Sequence, residues 1–297
     1  MARVIDPGDI AKDFRKQVAQ QVAKLTVPLK LVGFLSADNA PSQTYANYTK
    51  AGCDDVGIQY ELRQVNKLAL AAAIDEANAD PAVHGIMVYY PIFATDQDAY
   101  IKDLVDHRKD IEGLNSYWVR MLYHNQRYVD AAKSKQALLP CTPLAVIKLL
   151  EAAGALRRSK AGHGVPLQGQ TVVIFNRSEV VGRPLASMLA NDGANVYSFD
   201  IDGPQLFRSG QVSEFKITRA EALSQADIVI TGVPSREFPL VHCAEIRPGA
   251  VCLNFSTLRN FVPEIGDVAG VFIPRVGPMT VAMALRNTLR LFENYHA

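Results

Sequence analysis

The segment Val172-Val-Ile-Phe-Asn-Arg-Ser-Glu-Val-Val-Gly-Arg-Pro184 has the order of a buried strand, a polar turn and a helix start. Asn195-Val-Tyr-Ser-Phe-Asp200 then reads as a second strand ending in an acid. A sharp turn before a helix brings backbone N–H groups to a pyrophosphate, and a carboxylate at the next strand end can bond a ribose. A 2′-phosphate at Asp200 would meet like charge, so the pattern favours NAD over NADP. Where G-x-G-x-x-G would stand, the chain has Asn176-Arg-Ser-Glu-Val-Val-Gly182 and keeps only the last glycine. Asn176, Arg177, Ser178, Val181, Gly182 and Asp200 are therefore the candidate cofactor residues at this turn. The same spacing also fits an ordinary strand–turn–helix, with Asp200 a solvated strand-end acid.

Elements that could hold such a turn alternate along the chain, which argues for a parallel α/β architecture. A helix is expected from Asp9, with that acid as N-cap, and a buried strand over Leu29–Leu35. A second helix should run from about Pro41 to before Gly57, and a strand over Gly85–Pro91 should be stopped by its proline. Cys141-Thr-Pro-Leu starts another helix, with Thr142 as N-cap and Pro143 at its first position. Arg157 to Gly169 reads as a loop, and strands follow over Asp227-Ile-Val-Ile-Thr and Ala250-Val-Cys-Leu-Asn. The last helix, Pro278 to about Asn294, is apolar on one face and suited to pack back on the first domain.

A length of 297 residues suits two domains or one large α/β domain. Apolar residues at 48% and charged residues at 21% are ordinary for a globular protein. A net charge of +1, with the two signs interspersed, gives no pull toward nucleic acid or an anionic membrane. No apolar run reaches the roughly 20 residues a membrane span needs. Cys53, Cys141, Cys243 and Cys252 form no C-x-x-C pair and the N-terminal residues form no apolar h-region, so a reduced, cytoplasmic protein is expected. His124, His163 and the other histidines lack ligand spacing, so no metal is expected.

Six separated segments resemble the methylenetetrahydrofolate dehydrogenase/cyclohydrolase family. They are Pro41-Ser-Gln-Thr-Tyr45, Gly85-Ile-Met-Val-Tyr-Tyr-Pro91, Lys109-Asp-Ile-Glu-Gly113, Leu139-Pro-Cys-Thr-Pro143, Asn176 to Pro184 and Val276-Gly-Pro-Met-Thr-Val-Ala-Met283. The resemblance implies an α/β fold: an N-terminal folate-binding α/β domain and a C-terminal Rossmann-type parallel-sheet domain, with a cleft between them. The implied boundaries are 1–141, joined by the returning helix 278–297, and 142–277. It also implies a tetrahydrofolate-type substrate and a homodimer; the balanced charge and the lack of a long apolar run lead us to expect no nucleic-acid or membrane partner.

The departures from the family pattern are informative. Bifunctional members carry Tyr-x-x-x-Lys on the first substrate helix, one turn apart on one face. Here Tyr45 is kept, Thr49 stands at i+4, and Lys50 is rotated about 100° further round. Tyr89 replaces the glutamine that holds the family's lysine, and Glu112 replaces the usual pterin-anchoring aspartate. With Asp200, this combination is similar to the family's monofunctional NAD-dependent branch of yeast type.

The implied reaction is hydride transfer from 5,10-methylenetetrahydrofolate to NAD, giving the methenyl cation. That step places little demand on a general base, since proximity and orientation carry much of the rate. Cyclohydrolysis needs proton traffic, which a lysine–glutamine pair suits, so Thr49 and Tyr89 imply an absent or weak hydrolase. By resemblance the catalytic positions are Tyr45, Thr49, Tyr89 and Glu112. Tyr45 stacks on the folate, Glu112 accepts from pterin N–H donors, and Gly277, Pro278 and Thr280 border the substrate, with Thr280 starting the last helix. Val233, Ser256 and Thr257 fall at later strand ends, on the nicotinamide side. The loop before Gly277 is a residue shorter than usual near Arg275, and Cys141 reads as a packing residue. Arg177 opposes the NAD reading, because relatives use an arginine there to hold a 2′-phosphate. The alternative is therefore a bifunctional, NADP-using enzyme in which Lys50 replaces the missing lysine. Another NAD-dependent dehydrogenase on this architecture, or an inactive ligand-binding regulator, is a further alternative.

Overall fold

The computed structural model describes residues 1–36, 40–156 and 165–297. Two compact units emerge. One comprises Met1–Ile10, Leu122–Asn125 and Thr142–Met279, the other Ala11–Met121, Gln126–Cys141 and Thr280–Ala297. The first ten residues thus join the unit of the nucleotide-type turn, unlike the expected 1–141 span. The cause is β1 (Arg3–Val4), which pairs in parallel with β11 (Val271–Ile273). Much of the expected loop Arg157–Gly169, with His163, lies outside the described residues.

In the second unit β2 (Lys30–Leu35) lies between β3 (Gln59–Gln64) and β4 (Gly85–Val88), all parallel. The continuous apolar run of β2 is buried on both faces, as a central parallel strand requires. Phe34 and Val32 pack with Leu70 and Ile74 of α3 (Leu70–Ala79) and with Ile101 of α4 (Gln97–Leu104). Each such fully buried side chain contributes about 1.5–3 kcal/mol. Helix α2 (Ala40–Val56) packs through Gly52 against Val281 and Leu285 of α9 (Gly277–Tyr295). A Cβ at Gly52 would fall 2.7 Å from a Val281 methyl, so the glycine permits that close approach. Edge strand β3 carries Glu61, which binds Lys30 at 2.6 Å and Arg63 at 2.6 Å; such charges protect an edge from pairing with another chain.

The other unit is built on an eight-stranded sheet in the order β1-β11-β10-β9-β5-β6-β7-β8. Its parallel part is β5 (Thr171–Phe175), β6 (Asn195–Asp200), β9 (Ile228–Thr231), β10 (Val251–Asn254), β11 and β1. The hairpin β7 (Gly203–Arg208) and β8 (Gln211–Glu214) adds an antiparallel edge, so the sheet is mixed rather than wholly parallel. Chain order runs outward from β5 to β6 on one side and from β9 to β11 on the other. The carboxyl ends of β5 and β9 therefore mark a topological switch point, where open α/β sheets leave a crevice.

Several expected helix starts move. Helix α1 (Pro7–Val22) begins at Pro7, and Asp6 rather than Asp9 accepts from the Gly8 N–H at 2.8 Å. Proline without an N–H suits the first helical position, which left Asp6 to act as the cap. After α5 (Ser116–Tyr123), helix α6 (Cys141–Ala152) includes Thr142 in its first turn; beyond α7 (Gly182–Asn191) and α8 (Arg219–Gln225), α9 starts at Gly277 rather than Thr280. Strand β4 ends at Val88, before the cis Tyr90–Pro91 bond. No helix of the described residues is long and apolar enough to cross a membrane.

Candidate active site

Tyr45 and Thr49 lie one turn apart on α2, and Thr49, fully buried, donates its hydroxyl to the Tyr45 carbonyl at 2.9 Å. Tyr89 follows β4, tied to the sheet by its N–H on the Phe34 carbonyl at 3.0 Å. Its ring meets Tyr45 edge-on, with centroids 5.6 Å apart and planes at 87°. Three of the expected catalytic residues are thus brought together. Lys50 is not among them: it is exposed and bound to Asp54 at 2.7 Å. The i+5 rotation keeps its amine off the Tyr45–Thr49 face.

Burial pushes the Tyr45 hydroxyl well above its ordinary range, with Cys141, Glu112 and Tyr60 adding in the same direction. Burial does the same to Tyr89, while the Thr49 hydroxyl works the other way. These groups stay neutral at working pH. Tyr60 on β3, which sequence reasoning missed, shares a 2.7 Å hydrogen bond with the Tyr89 hydroxyl.

The segment after α4 presents Glu112. Lys109 donates to the carbonyls of Ala77, Asn78 and Asp80 at 3.0, 2.8 and 2.7 Å, closing the end of α3. Asp110 accepts from the N–H groups of Glu112, Gly113 and Asn115 at 3.0, 3.1 and 2.7 Å and so forms the turn. Gly113 has φ +66° and lies against the Leu139–Pro140 backbone, a placement that glycine alone meets without strain. Within this frame Glu112 remains partly accessible. Desolvation, aided by the Asp110 charge, raises its carboxyl from 4.5 to about 8, with the Val88 N–H and Lys102 pulling it back. Asp110 is itself pushed up to about 6 by burial, against its backbone donors. A carboxyl held short of donors is poised to gain from N–H groups on a ligand.

Cys141 donates its thiol to the Ile111 carbonyl at 3.3 Å, and burial raises it well above the usual thiol range. Asn287 of α9 bonds the Ile111 and Leu139 carbonyls at 2.8 and 3.0 Å, which ties this segment to the last helix. Gly277 and Pro278 form the start of α9, with Gly277 exposed, and Thr280 is buried in the first turn.

In the first unit the expected cofactor turn is stitched by its own side chains. Asn176 donates to the Gly232 carbonyl at 3.0 Å, joining the two strand ends at the switch point. Its amide oxygen accepts from the N–H and hydroxyl of Ser178 at 3.0 and 2.7 Å. The Ser178 hydroxyl accepts from Val181 and Gly182 at 3.3 and 3.4 Å, at the start of α7 (Gly182–Asn191). A Cβ on Gly182 would lie 2.1 Å from the Asn176 carbonyl oxygen, so the one retained glycine lets helix and strand end meet.

Asp200 is exposed at the end of β6 and accepts from the Arg177 N–H at 2.9 Å and the Ile201 N–H at 2.8 Å. The Arg177 guanidinium turns back onto the carbonyls of Ser198 and Gly203, at 3.0 and 2.9 Å. That commitment leaves Asp200, not Arg177, as the charge offered at the strand end. The residues therefore fit a dinucleotide with a free 2′-hydroxyl.

Val233 and Ser256 lie in the loops after β9 and β10 rather than at the strand ends. The Ser256 hydroxyl donates to the Val233 carbonyl at 3.0 Å, while Thr257 is exposed. Fully buried Asn260, another residue the sequence did not disclose, pairs with both the N–H and the carbonyl of Val233, at 2.9 and 3.0 Å. Ser256, Thr257 and Asn260 line a cavity of about 540 Å³.

Residues 5–112 match the model of the tetrahydrofolate dehydrogenase/cyclohydrolase catalytic domain, and residues 140–296 match the model of its NAD(P)-binding domain. Methylenetetrahydrofolate dehydrogenase [NAD(+)] of Schizosaccharomyces pombe is 42% identical, over 97% of this chain and 92% of that protein. The enzyme of the same name from Dictyostelium discoideum is 43% identical, over 98% and 94%. The solved structure of the NAD-dependent 5,10-methylenetetrahydrofolate dehydrogenase from Saccharomyces cerevisiae superposes with a TM-score of 0.90 at 37% identity, covering 99% of this chain and 98% of that one. The chain belongs to the tetrahydrofolate dehydrogenase/cyclohydrolase family.

Proposed function

We infer that the protein oxidises 5,10-methylenetetrahydrofolate to the 5,10-methenyl form with NAD and carries little or no cyclohydrolase activity. The observation that carries the second half is the hydroxyl-only face of Tyr45, Thr49 and Tyr89, with Lys50 held on Asp54. Lys50, the lysine next to Thr49 on that helix, is thus not offered to the face as a proton relay for hydrolysis. Hydride transfer needs none, because the bound dinucleotide supplies the hydride acceptor and the folate nitrogens stabilise the cation that remains.

This chain's residues bind and orient. Tyr45 offers a ring for stacking, and its edge-on contact with Tyr89 limits rotation. Glu112 takes hydrogen bonds from the pterin amino and ring N–H groups, and those donors favour its ionised form. Asn176, Ser178, Val181 and Gly182 shape the helix start that receives the pyrophosphate, and Asp200 takes the ribose hydroxyl. Val233, Ser256 and Thr257 are assigned to the nicotinamide side, and Gly277, Pro278 and Thr280 to the folate border. A homodimer in a reducing, cytoplasmic setting accompanies this reading, supported by family resemblance and by four free cysteines. Balanced charge supports the expected lack of a nucleic-acid partner.

The test is a spectrophotometric assay of the pure protein on 5,10-methylenetetrahydrofolate with NAD and NADP in parallel, following methenyl product in the same cuvette. NADH formation, with methenyl decaying at its uncatalysed rate, is expected. Rapid loss of methenyl would refute the hydroxyl-face argument, and a preference for NADP would refute the role given to Asp200. Asp200→Asn removes one charge facing the 2′ position, an interaction of about 1 kcal/mol at 4 Å in water. The ratio of kcat/KM for NAD over NADP is expected to fall about fivefold in this variant. An unchanged ratio would show that Asp200 does not discriminate between the two.

A further inference from the structure

We propose that Tyr60 is a positioning residue of the folate site: its hydroxyl fixes the Tyr89 ring edge-on to Tyr45 and thereby sets the plane on which the pterin stacks. This rests on the stacking role inferred for Tyr45. Tyr60 and Tyr89 come from the edge strand β3 and the end of β4, which flank β2 on opposite sides. Their hydroxyls meet at 2.7 Å, across the central strand. They can meet only because the residue between them on β2 is Gly33. A Cβ there would stand 2.4 Å from the Tyr60 hydroxyl oxygen and 3.0 Å from the ring carbon that bears it.

The consequences run through Tyr89. Tyr89 is only 2% exposed, and its hydroxyl is bonded to Tyr60 while its ring stands nearly perpendicular to that of Tyr45. With both ends of Tyr89 held, the ring has one orientation, and Tyr45 has one neighbour geometry. Cys53 is the other titratable group acting on Tyr60, and burial pushes both up to about 12. Burial raises Tyr89 as well, so the hydrogen-bonded Tyr60 and Tyr89 are both neutral and orient a ring rather than carry a charge. Tyr89 occupies the position where bifunctional relatives need a glutamine for their lysine, and Tyr60 holds it there. Tyr60 thus completes an alternative set of residues that favours stacking over proton relay.

The experiment is a double-mutant cycle on the full chain with Tyr60→Phe, Tyr89→Phe and the double variant. A neutral hydrogen bond of ordinary strength corresponds to about a fivefold effect. Tyr60→Phe is expected to raise the folate KM about fivefold, leave the NAD KM unchanged, and shift the thermal midpoint by no more than about 2–4 °C. The double variant should lose no more than Tyr89→Phe alone, because the two hydroxyls act through one bond. Wild-type kinetics in Tyr60→Phe, or losses that multiply in the double variant, would overturn the proposal. A loss confined to thermal stability would also overturn it, since a filler of space moves stability without splitting the two KM values. Should Tyr60→Phe fail to fold, Gly33→Ala displaces the same hydroxyl with Tyr60 intact, and an unchanged folate KM there would count equally against it. An inactive wild-type protein would instead sink the reading of the site itself.

Discussion

Glu112→Gln is expected to lower kcat/KM for the folate by about 100-fold, which corresponds to two charge-assisted hydrogen bonds becoming neutral ones. The wild-type pH profile should carry the signature of the same group. Its carboxyl sits at about 8 in the free protein, and pterin donors require the ionised form. Because kcat/KM reports the free enzyme, it should rise with pH up to about 8 and level off above. The glutamine variant should lack that break. Measuring kcat/KM for both proteins on either side of the break decides the matter: a wild-type profile without it, or a variant that retains it, would remove Glu112 from pterin recognition.

The same substitution should make the protein more stable at alkaline pH, a combination expected of a group placed for function. A carboxyl raised from 4.5 to about 8 binds more protons in the native state than in the unfolded one. Stability therefore falls as pH rises through that window, and the cost is complete above the folded value. Glutamine cannot ionise, so its thermal midpoint should exceed that of the wild type above about pH 8 and converge on it below the ordinary carboxylate range. Asp110, pushed up to about 6, slopes the same way in both proteins and does not obscure the difference.

Strands with unbroken apolar runs were legible from sequence. Leu31 to Leu35, Val172 to Phe175 and Ile228 to Ile230 are buried on both faces, and hydropathy alone marks them. The elements that escaped are those where edges and tertiary pairing outweigh composition. Strand β1 is two exposed residues and exists through its partner β11. Strand β3 reads Gln-Tyr-Glu-Leu-Arg-Gln, too polar for a core strand yet suited to a charged edge. The β7–β8 hairpin holds Pro204 and a fully exposed β8, and it disguises the antiparallel end of a sheet that otherwise reads parallel.

The site was legible where chemistry lies on one element. Tyr45 and Thr49 share a helix turn, and Asp200 ends a strand beside the Asn176 turn, so spacing suffices. Tyr60 and Asn260 were hidden because each acts through a residue far away in sequence: Tyr60 through Tyr89 and Asn260 through Val233. No local pattern around them differs from a solvated tyrosine or a loop asparagine. Arg177 was visible but ambiguous, since only the carbonyls of Ser198 and Gly203 decide which way its guanidinium points.

Gly182→Ala should weaken NAD binding about 100-fold, the equivalent of the upper part of the usual cost of overpacking. The added methyl would meet the Asn176 carbonyl oxygen at 2.1 Å and its carbon at 2.5 Å. Both are backbone atoms, so no side-chain rotation relieves the clash. Asn176 cannot retreat freely, because its N–H holds the Phe199 carbonyl at 3.2 Å and its amide holds the Gly232 carbonyl at 3.0 Å. The start of α7 must therefore move away from the strand end, and with it the Ser178-capped N–H groups that shape the pyrophosphate cradle. Gly266→Ala is the matched control in the same unit, since its Cβ would meet nothing closer than the Ala2 methyl at 3.9 Å. Calorimetric titration of NAD into both variants reads the difference directly. Equal affinities would show that the close approach at Gly182 serves packing alone and that the pyrophosphate is held elsewhere.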